Sequence, residues 1–108
     1  MSWEMVLFLT GMALVSAGCL VPARWLPPLP NDKLLHFLAF GGLTLLALRL
    51  VGGRGELIYW LGGLLLAGWL IEALQNLVPG RSFCWRDMAA NAAGILAGAC
   101  FAPLLLVR

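Results

Sequence analysis

The stretch Asn31–Gly42, with the sequence NDKLLHFLAFGG, places Asp32, Lys33 and His36 at the start of a long apolar segment. That segment holds one further charge, Arg49, and is about 20 residues long. As an α-helix, about 20 residues extend about 30 Å, which matches the hydrocarbon core of a membrane. The stretch therefore predicts a transmembrane helix that carries three ionisable residues at one end.

The composition of the whole chain is typical of an integral membrane protein. Hydrophobic residues make up 62% of its 108 residues and charged residues only 11%, whereas soluble domains are about half apolar and about a quarter charged. A soluble domain of this size has too small a core to bury such an excess. The net charge of +2, without a basic cluster interleaved with aromatic residues, argues against nucleic-acid binding.

Four apolar segments of membrane-spanning length divide the chain. The predicted spans are residues 3–20, 32–51, 57–78 and 87–107. The first has only Glu4, and no Lys or Arg, before its apolar run, so we interpret it as a retained transmembrane helix rather than a secretory signal. Continuous apolar runs argue against a barrel. We predict an all-α membrane protein, a four-transmembrane-helix up-and-down bundle with a single domain over residues 1–108.

Helix-breaking residues mark the connections between the spans. Pro22 begins a proline-rich first connection, and Asn31 is the predicted N-cap of the second span. The Gly52–Glu56 stretch predicts a tight turn, and Pro79–Gly80 is expected to end the third span. Cationic residues are nearly balanced between the two faces. With the cations of the polar motifs set aside, the remaining bias favours cytoplasmic termini.

An up-and-down bundle brings most polar residues of the chain to one membrane face. They lie around the ends of the last three spans: Asp32, Lys33, His36, Glu72, Gln75, Arg81, Arg86, Asp87 and Asn91. Three pairs are three or four positions apart and so share a helix face: Asp32 with His36, Glu72 with Gln75, and Asp87 with Asn91. The face of Asn91 continues as Gly94 and Gly98, a small-residue surface that allows close helix packing.

Glu72 is the most informative of these residues. It precedes Pro79 by seven positions, about 10 Å along a helix. A carboxylate at that depth in lipid costs about 2.5 kcal/mol or more. Glu72 should therefore face the bundle interior, where Arg81 and His36 are the predicted partners because both can donate to it.

Each polar residue also has a purely structural interpretation. The structural roles are complementation of helix dipoles for Asp32 and Asp87, extension to head groups for Lys33 and Arg86, interhelical hydrogen bonding for His36, Gln75 and Asn91, and a buried ion pair for Glu72 and Arg81. The functional interpretation depends on the convergence of the whole set rather than on any single residue.

The ordered motifs DKLLHFLAF, EALQ and R.....D...N..G...G resemble the VanZ-like family of small bacterial membrane proteins. The resemblance covers the chain from Asn31 onward and maps onto Asp32, Lys33, His36, Phe37, Phe40, Glu72, Gln75, Arg81, Asp87, Asn91, Gly94 and Gly98. The family is named for a member linked to resistance to teicoplanin. The resemblance implies a multi-pass protein of the bacterial inner (cytoplasmic) membrane, with its polar motifs facing outward. It implies no established reaction.

Two main hypotheses of function remain open. In the first, the chain binds or remodels an anionic envelope lipid or cell-wall precursor, which would affect glycopeptide susceptibility. The ligand-binding residues would then be Asp32, Lys33, Gln75, Arg81, Asp87 and Asn91. In the second, it is a membrane-embedded hydrolase or transferase acting on a lipid head group, with His36 and Glu72 as an acid–base pair.

Other functional classes are less well supported by the residues. A transporter would require a homo-oligomer, because four short helices form a poor conduit, and glycine-rich faces leave oligomerisation open. A hard metal ion would fit the carboxylates and His36 chemically, but no helix carries a recognised ligand motif. We therefore expect neither a metal nor a cofactor. The expected partner is a membrane lipid or lipid-linked envelope precursor, not nucleic acid.

Overall fold

A computed structural model describes residues 2–22, 24, 32–81 and 83–105, except for the side chains of Asp32, Arg54 and Leu105. All regular secondary structure in this part of the chain is helical. The helices are α1 (Trp3–Leu20), α2 (Asp32–Leu50), α3 (Arg54–Gln75), α4 (Trp85–Ala99) and the short α5 (Ala102–Leu105). The predicted all-α fold is confirmed. The proline-rich connection from residue 25, the Asn31 cap and residues 106–107 of the predicted fourth span lie outside the described residues.

The chain is a membrane protein with four helices long and apolar enough to cross a bilayer. The spanning segments are Trp3–Leu20, Lys33–Leu50, Gly55–Gln75 and Trp85–Leu104, with mean hydropathies of 1.6, 1.5, 1.7 and 1.2. Many large apolar side chains point outward, among them Leu14, Leu38 and Leu66. In water such a surface would drive aggregation, whereas in a bilayer it contacts acyl chains.

The third helix begins and ends about three residues before its predicted bounds. It begins at Arg54, because the Glu56 carboxylate accepts the Gly52 N–H at 3.1 Å. This hydrogen bond holds the turn at residues 52–53 against the first turn of the helix. It ends at Gln75, because the next three residues form tight turns with i to i−3 hydrogen bonds. Gly80 completes the reversal with a φ of 77°, a conformation that favours glycine.

The fourth helix differs from the prediction at both ends. It begins at Trp85, two residues early, because Cys84 has an extended backbone from which the helix can start. The continuous helix ends at Ala99, and α5 follows after a break. Pro103 explains the break, since a proline has no N–H and its ring collides with the carbonyl four residues earlier.

Helices α2 and α4 form the largest interface among the described helices. They run parallel to each other, since His36 contacts Asn91 and Thr44 lies against Gly98. Glycines bring their backbones together. A methyl group on Gly94 would collide with the carbonyl oxygen of Phe37, and one on Gly98 would lie 2.8 Å from Cβ of Thr44 and 3.0 Å from the Gly41 oxygen. The small-residue surface predicted on the fourth span is therefore the seam against α2.

The apolar core fills the interior of the bundle and is built around one face of α2. Buried residues recur on that helix at three- and four-residue intervals, as expected for one face, and Val51 directly after the helix continues the pattern. The buried residues on the helix are His36, Phe40, Leu43, Thr44, Ala47 and Leu48. Leu64 and Ile71 of α3 and Ile95 of α4 pack into the same cluster. The core thus keeps the polar ends of α2, α3 and α4 in register.

Helix α1 packs on the outside of this core and buries none of its residues completely. Its N-terminal half meets α3 through Phe8 and Trp60, whose rings pack edge to face at 5.5 Å. Glu4 forms an ion pair with Arg49 of α2 at 3.4 Å. At the end of the bundle opposite the polar residues, α1 is therefore attached only along the outer surface of α2 and α3.

We expect Gly94→Ala to destabilise the bundle, because the added methyl group collides with the Phe37 carbonyl and must push α4 away from α2. Overpacking of this kind costs about 1–3 kcal/mol. The measurement is the Tm of the purified protein in detergent. Gly62→Ala is the matched control, because nothing lies within 4 Å of its added methyl group. An equal Tm for both variants would contradict the close seam.

Candidate functional site

A chain of polar contacts joins the N-terminal ends of α2 and α4. The Lys33 ammonium lies 2.8 Å from Oδ1 of Asp87, an ion contact rather than a well-directed hydrogen bond. Oδ2 of Asp87 lies 3.7 Å from Nε2 of His36. Nδ1 of His36 forms a 2.8 Å hydrogen bond with Oδ1 of Asn91. Four of the predicted site residues therefore meet, because α2 and α4 are parallel and their first turns lie side by side.

The contacts pass from the membrane surface to the bundle interior. The Lys33 side chain is 45% exposed, while Asp87, His36 and Asn91 are 6%, 7% and 2% exposed. Lys33 therefore lies at the exposed edge of these contacts, which we call the rim, and the other three residues lie within the protein. The low dielectric around them strengthens each contact and makes the loss of any partner costly.

Glu72 of α3 lies beside these contacts and is completely buried. We call the five residues Lys33, His36, Glu72, Asp87 and Asn91 the polar cluster. Its Oε2 accepts the backbone N–H of Cys84 at 3.4 Å, which ties α3 to the start of α4. One ligand atom each of His36, Glu72 and Asp87 lies within 4.8 Å of the other two. Of the two partners predicted for Glu72, the structure brings His36 close, whereas Arg81 donates elsewhere.

Gln75 and Arg81 both contact the C-terminal end of α1. Nε2 of Gln75 donates to the Cys19 carbonyl at 2.7 Å, and the Arg81 guanidinium donates to the Val21 carbonyl at 3.5 Å. The last carbonyls of a helix have no partner within the helix and carry partial negative charge. These two predicted ligand-binding residues therefore cap α1, although the 3.5 Å contact leaves most of the Arg81 donors available.

Two remaining predictions concern the rim of the cluster. Asp32 begins α2 as expected, but its carboxylate lies outside the described side chains, so its predicted role stays a prediction. Arg86 is exposed in the first turn of α4, next to the partner of Lys33. The rim thus carries two cations from neighbouring helices.

Sequence reasoning missed two residues that shape the cluster. A methyl group on Gly68 would lie 3.2 Å from Nδ2 of Asn91 and 3.3 Å from the Phe40 ring, so this glycine of α3 makes space for both. Cys84 contributes through its backbone N–H rather than its thiol. Neither role leaves a signal in the sequence, because one depends on an absent side chain and the other on the main chain.

Among the described residues, apolar cavities on the outer surface of the bundle lie outside the polar cluster. One, of about 390 Å³, lies between α1 and α3 near Phe8 and Trp60, at the opposite end of the bundle. The other, of about 340 Å³, is a groove between α2 and α4. We call this second cavity the α2–α4 groove; it is lined by Phe37, Leu38, Gly41, Gly42, Leu45, Ala97, Gly98 and Phe101. Both are apolar, as a binding surface for acyl or prenyl chains must be.

We expect Asn91→Leu to destabilise the protein, because it removes the acceptor of a buried imidazole N–H while keeping the side-chain volume similar. An unsatisfied buried donor costs about 1–3 kcal/mol. The measurement is again the Tm in detergent. Asn76→Leu is the control: Asn76 is exposed and accepts only a 3.4 Å hydrogen bond from Phe83, so its loss should cost less than about 0.5 kcal/mol. Equal effects would show that the interhelical hydrogen bond adds no stability.

Comparison with known proteins identifies the family of the chain. The model of the VanZ/LLP1 family matches residues 4–106, almost the whole chain. No curated protein and no solved structure matches the chain significantly. The family match begins within α1 and includes all residues of the polar cluster. The chain therefore belongs to the VanZ/LLP1 family of membrane proteins.

Proposed function

We propose that the protein binds an anionic lipid or lipid-linked precursor of the bacterial cell envelope, with the phosphate at the rim of the polar cluster and the hydrocarbon chain in the α2–α4 groove. The observation that carries this proposal is the position of two cations above an apolar groove of suitable size. Binding of this kind would let the protein sequester or remodel a component that glycopeptides act on.

Helical periodicity supports a phosphate position between the two rim cations, above the α2–α4 groove. Lys33 is four residues before Phe37 and shares its helix face, about 6 Å nearer the membrane surface. Arg86 is eleven residues before Ala97, which is three helical turns on the same face, about 16 Å away. Phe37 and Ala97 both line the groove. A chain lying in the groove would therefore carry its head group up to Lys33 and Arg86.

The chemistry of the rim suits a phosphate. Arg86 is exposed, and Lys33 keeps 45% of its side chain exposed while it contacts Asp87. Guanidinium and ammonium groups bind phosphate by charge-assisted hydrogen bonds. The free donors of the half-buried Arg81 would supply a third cation on the same face. Selectivity for lipids with a net negative charge follows, because a zwitterionic head group brings its own cation.

The orientation that fits this proposal places the polar end at the outer surface of the inner membrane. Both termini would then lie on the cytoplasmic side. Lipid-linked cell-wall precursors are displayed on the outer surface, where glycopeptides also act. In that orientation the cationic rim would face the surface on which such a ligand is displayed.

We expect the purified protein to retain an anionic lipid that Lys33→Ala and Arg86→Ala release, because each substitution removes a charge from the phosphate site. The measurement is native mass spectrometry after reconstitution with phosphatidylglycerol, phosphatidylethanolamine or undecaprenyl phosphate. The two anionic probes should be retained and the zwitterionic one lost. A preference between phosphatidylglycerol and undecaprenyl phosphate would separate a bulk lipid from a prenyl-linked ligand.

The matched control for that experiment is Arg49→Ala. Arg49 has the same charge and lies at the opposite end of the bundle, in an exposed ion pair with Glu4 that contributes little stability. Its loss should leave lipid retention unchanged. If all three variants retained the same lipids as the unsubstituted protein, the rim cations would not be a phosphate site.

The closeness of His36 and Glu72 favours a second candidate, hydrolysis or transfer at the lipid head group. Their ligand atoms lie within 4.8 Å, within reach of an acid–base pair that shares a water or substrate proton. Glu72→Gln should then abolish turnover of a bound phospholipid while the lipid is still retained. Turnover would be measured by the release of the water-soluble head group; unchanged release in Glu72→Gln would exclude this role.

A further inference from the structure

We propose that His36, Glu72 and Asp87 form a three-ligand site for a divalent transition-metal ion, Zn²⁺ or Mn²⁺. This inference deepens the proposed function, because an ion at this point would add positive charge directly beneath the phosphate rim. It runs against the expectation from sequence motifs that no metal is bound. The ligands come from three different helices, so no single helix could carry a recognisable motif.

The spacing of the three ligand atoms is close to that required around one ion. Zinc binds imidazole nitrogen and carboxylate oxygen at about 2.0–2.2 Å, so two ligands of one ion are about 3–4 Å apart. The atoms of His36, Glu72 and Asp87 lie within 4.8 Å of one another, and Nε2 of His36 is 3.7 Å from Oδ2 of Asp87. Small rotations of the two carboxylates would close the remaining distance.

The His36 ring is oriented as a metal-binding imidazole is. The amide oxygen of Asn91 can only accept a hydrogen bond, so the 2.8 Å contact requires a proton on Nδ1. Nε2 is thereby the nitrogen left to bind a metal, and it lies on the side of the Asp87 carboxylate. Its 3.7 Å separation from Asp87 is too long for a hydrogen bond but fits two ligands on either side of an ion. Metal-binding histidines usually donate their second N–H in this way, which fixes the ring and its tautomer.

The charges around the site also favour a cation. The carboxyl groups of Glu72 and Asp87 are both buried, and each lies close to the imidazole of His36. Carboxylates in a low-dielectric interior are costly unless positive charge is close. A divalent ion bound between them would add that positive charge. The same ion would attract a phosphate oxygen from the rim.

The donor set selects the class of metal. One imidazole with two carboxylates suits Zn²⁺ and Mn²⁺, whereas Mg²⁺ and Ca²⁺ prefer sites made of oxygen alone. Three protein ligands leave at least one coordination position open, as in catalytic rather than structural zinc sites. A phosphate oxygen or a water molecule would occupy that position, so the same ion serves either binding or hydrolysis.

The test measures metal content directly. Protein carrying a Strep affinity tag, which contributes no added polyhistidine, is stripped with EDTA, incubated with ZnCl₂ or MnCl₂, and desalted in detergent. We expect one ion per chain by mass spectrometry of the metal. Because the chain has a single histidine, ¹⁵N NMR reads His36 alone, and Zn²⁺ should shift Nε2 while Nδ1 stays protonated. No retained metal, or a shift at Nδ1 instead, would overturn the proposal.

Variants distinguish a lost ligand from a lost fold. Glu72→Gln should weaken metal affinity at least tenfold, yet the metal-free variant should be as stable as the unsubstituted protein or more so, because a buried charge is removed. Glu56→Gln, at the exposed start of α3, is the matched control and should bind normally. Asn91→Ala should weaken affinity about 10–100-fold through the orientation of His36. Normal binding by Glu72→Gln would overturn the proposal.

The cysteine residues provide a further control, since thiolates also bind zinc. Cys84→Ala should keep its metal, because the backbone N–H of Cys84, and not its thiol, contacts Glu72. Loss of zinc in Cys84→Ala would overturn the three-ligand assignment. Lipid retention, measured in EDTA and in Zn²⁺, separates the two proposals. Metal binding without lipid retention would refute only the proposed function, and lipid retention by a chain that binds no metal would refute only this inference.

Discussion

The carboxyl group of Glu72 is completely buried in the interior of a membrane bundle. A carboxylate in that position is tolerated only if neighbouring groups supply donors or positive charge. Helix α4 supplies a backbone N–H through Cys84, and α2 supplies His36. The three helices must therefore converge at one end, whatever else the bundle does.

The glycine seam makes that convergence possible. Gly94 meets the main chain of α2 directly, so the axes of α2 and α4 lie closer than side chains would allow. His36 reaches Asn91, and Lys33 reaches Asp87, only because the helices are that close and parallel. The apolar core then fixes the register, since a slip of one residue would turn the polar groups toward lipid. Packing and polar contacts thus specify the same arrangement.

The number of spans, their approximate bounds and the polar face could be predicted because they depend on length, hydropathy and helical periodicity. The face shared by Asp87, Asn91, Gly94 and Gly98 needed nothing beyond residue spacing. The partner of each polar residue could not be predicted, because Arg81 and His36 are equally able to donate to Glu72. Only the fold shows that Arg81 reaches the end of α1. The role of Gly68 was hidden because it consists of space left for Asn91 and Phe40.

The capping of α1 by Gln75 and Arg81 has a consequence for how this helix can change. Both side chains hold main-chain oxygens, at Cys19 and Val21, and every amino acid has such an oxygen. These two contacts therefore do not depend on which side chains α1 carries at its C-terminal end. The sequence of the helix matters elsewhere, where Phe8 packs against Trp60 and Glu4 pairs with Arg49. Substitutions at Cys19 or Val21 would thus leave both hydrogen-bond acceptors in place, whereas substitutions near the start of the helix would remove specific contacts.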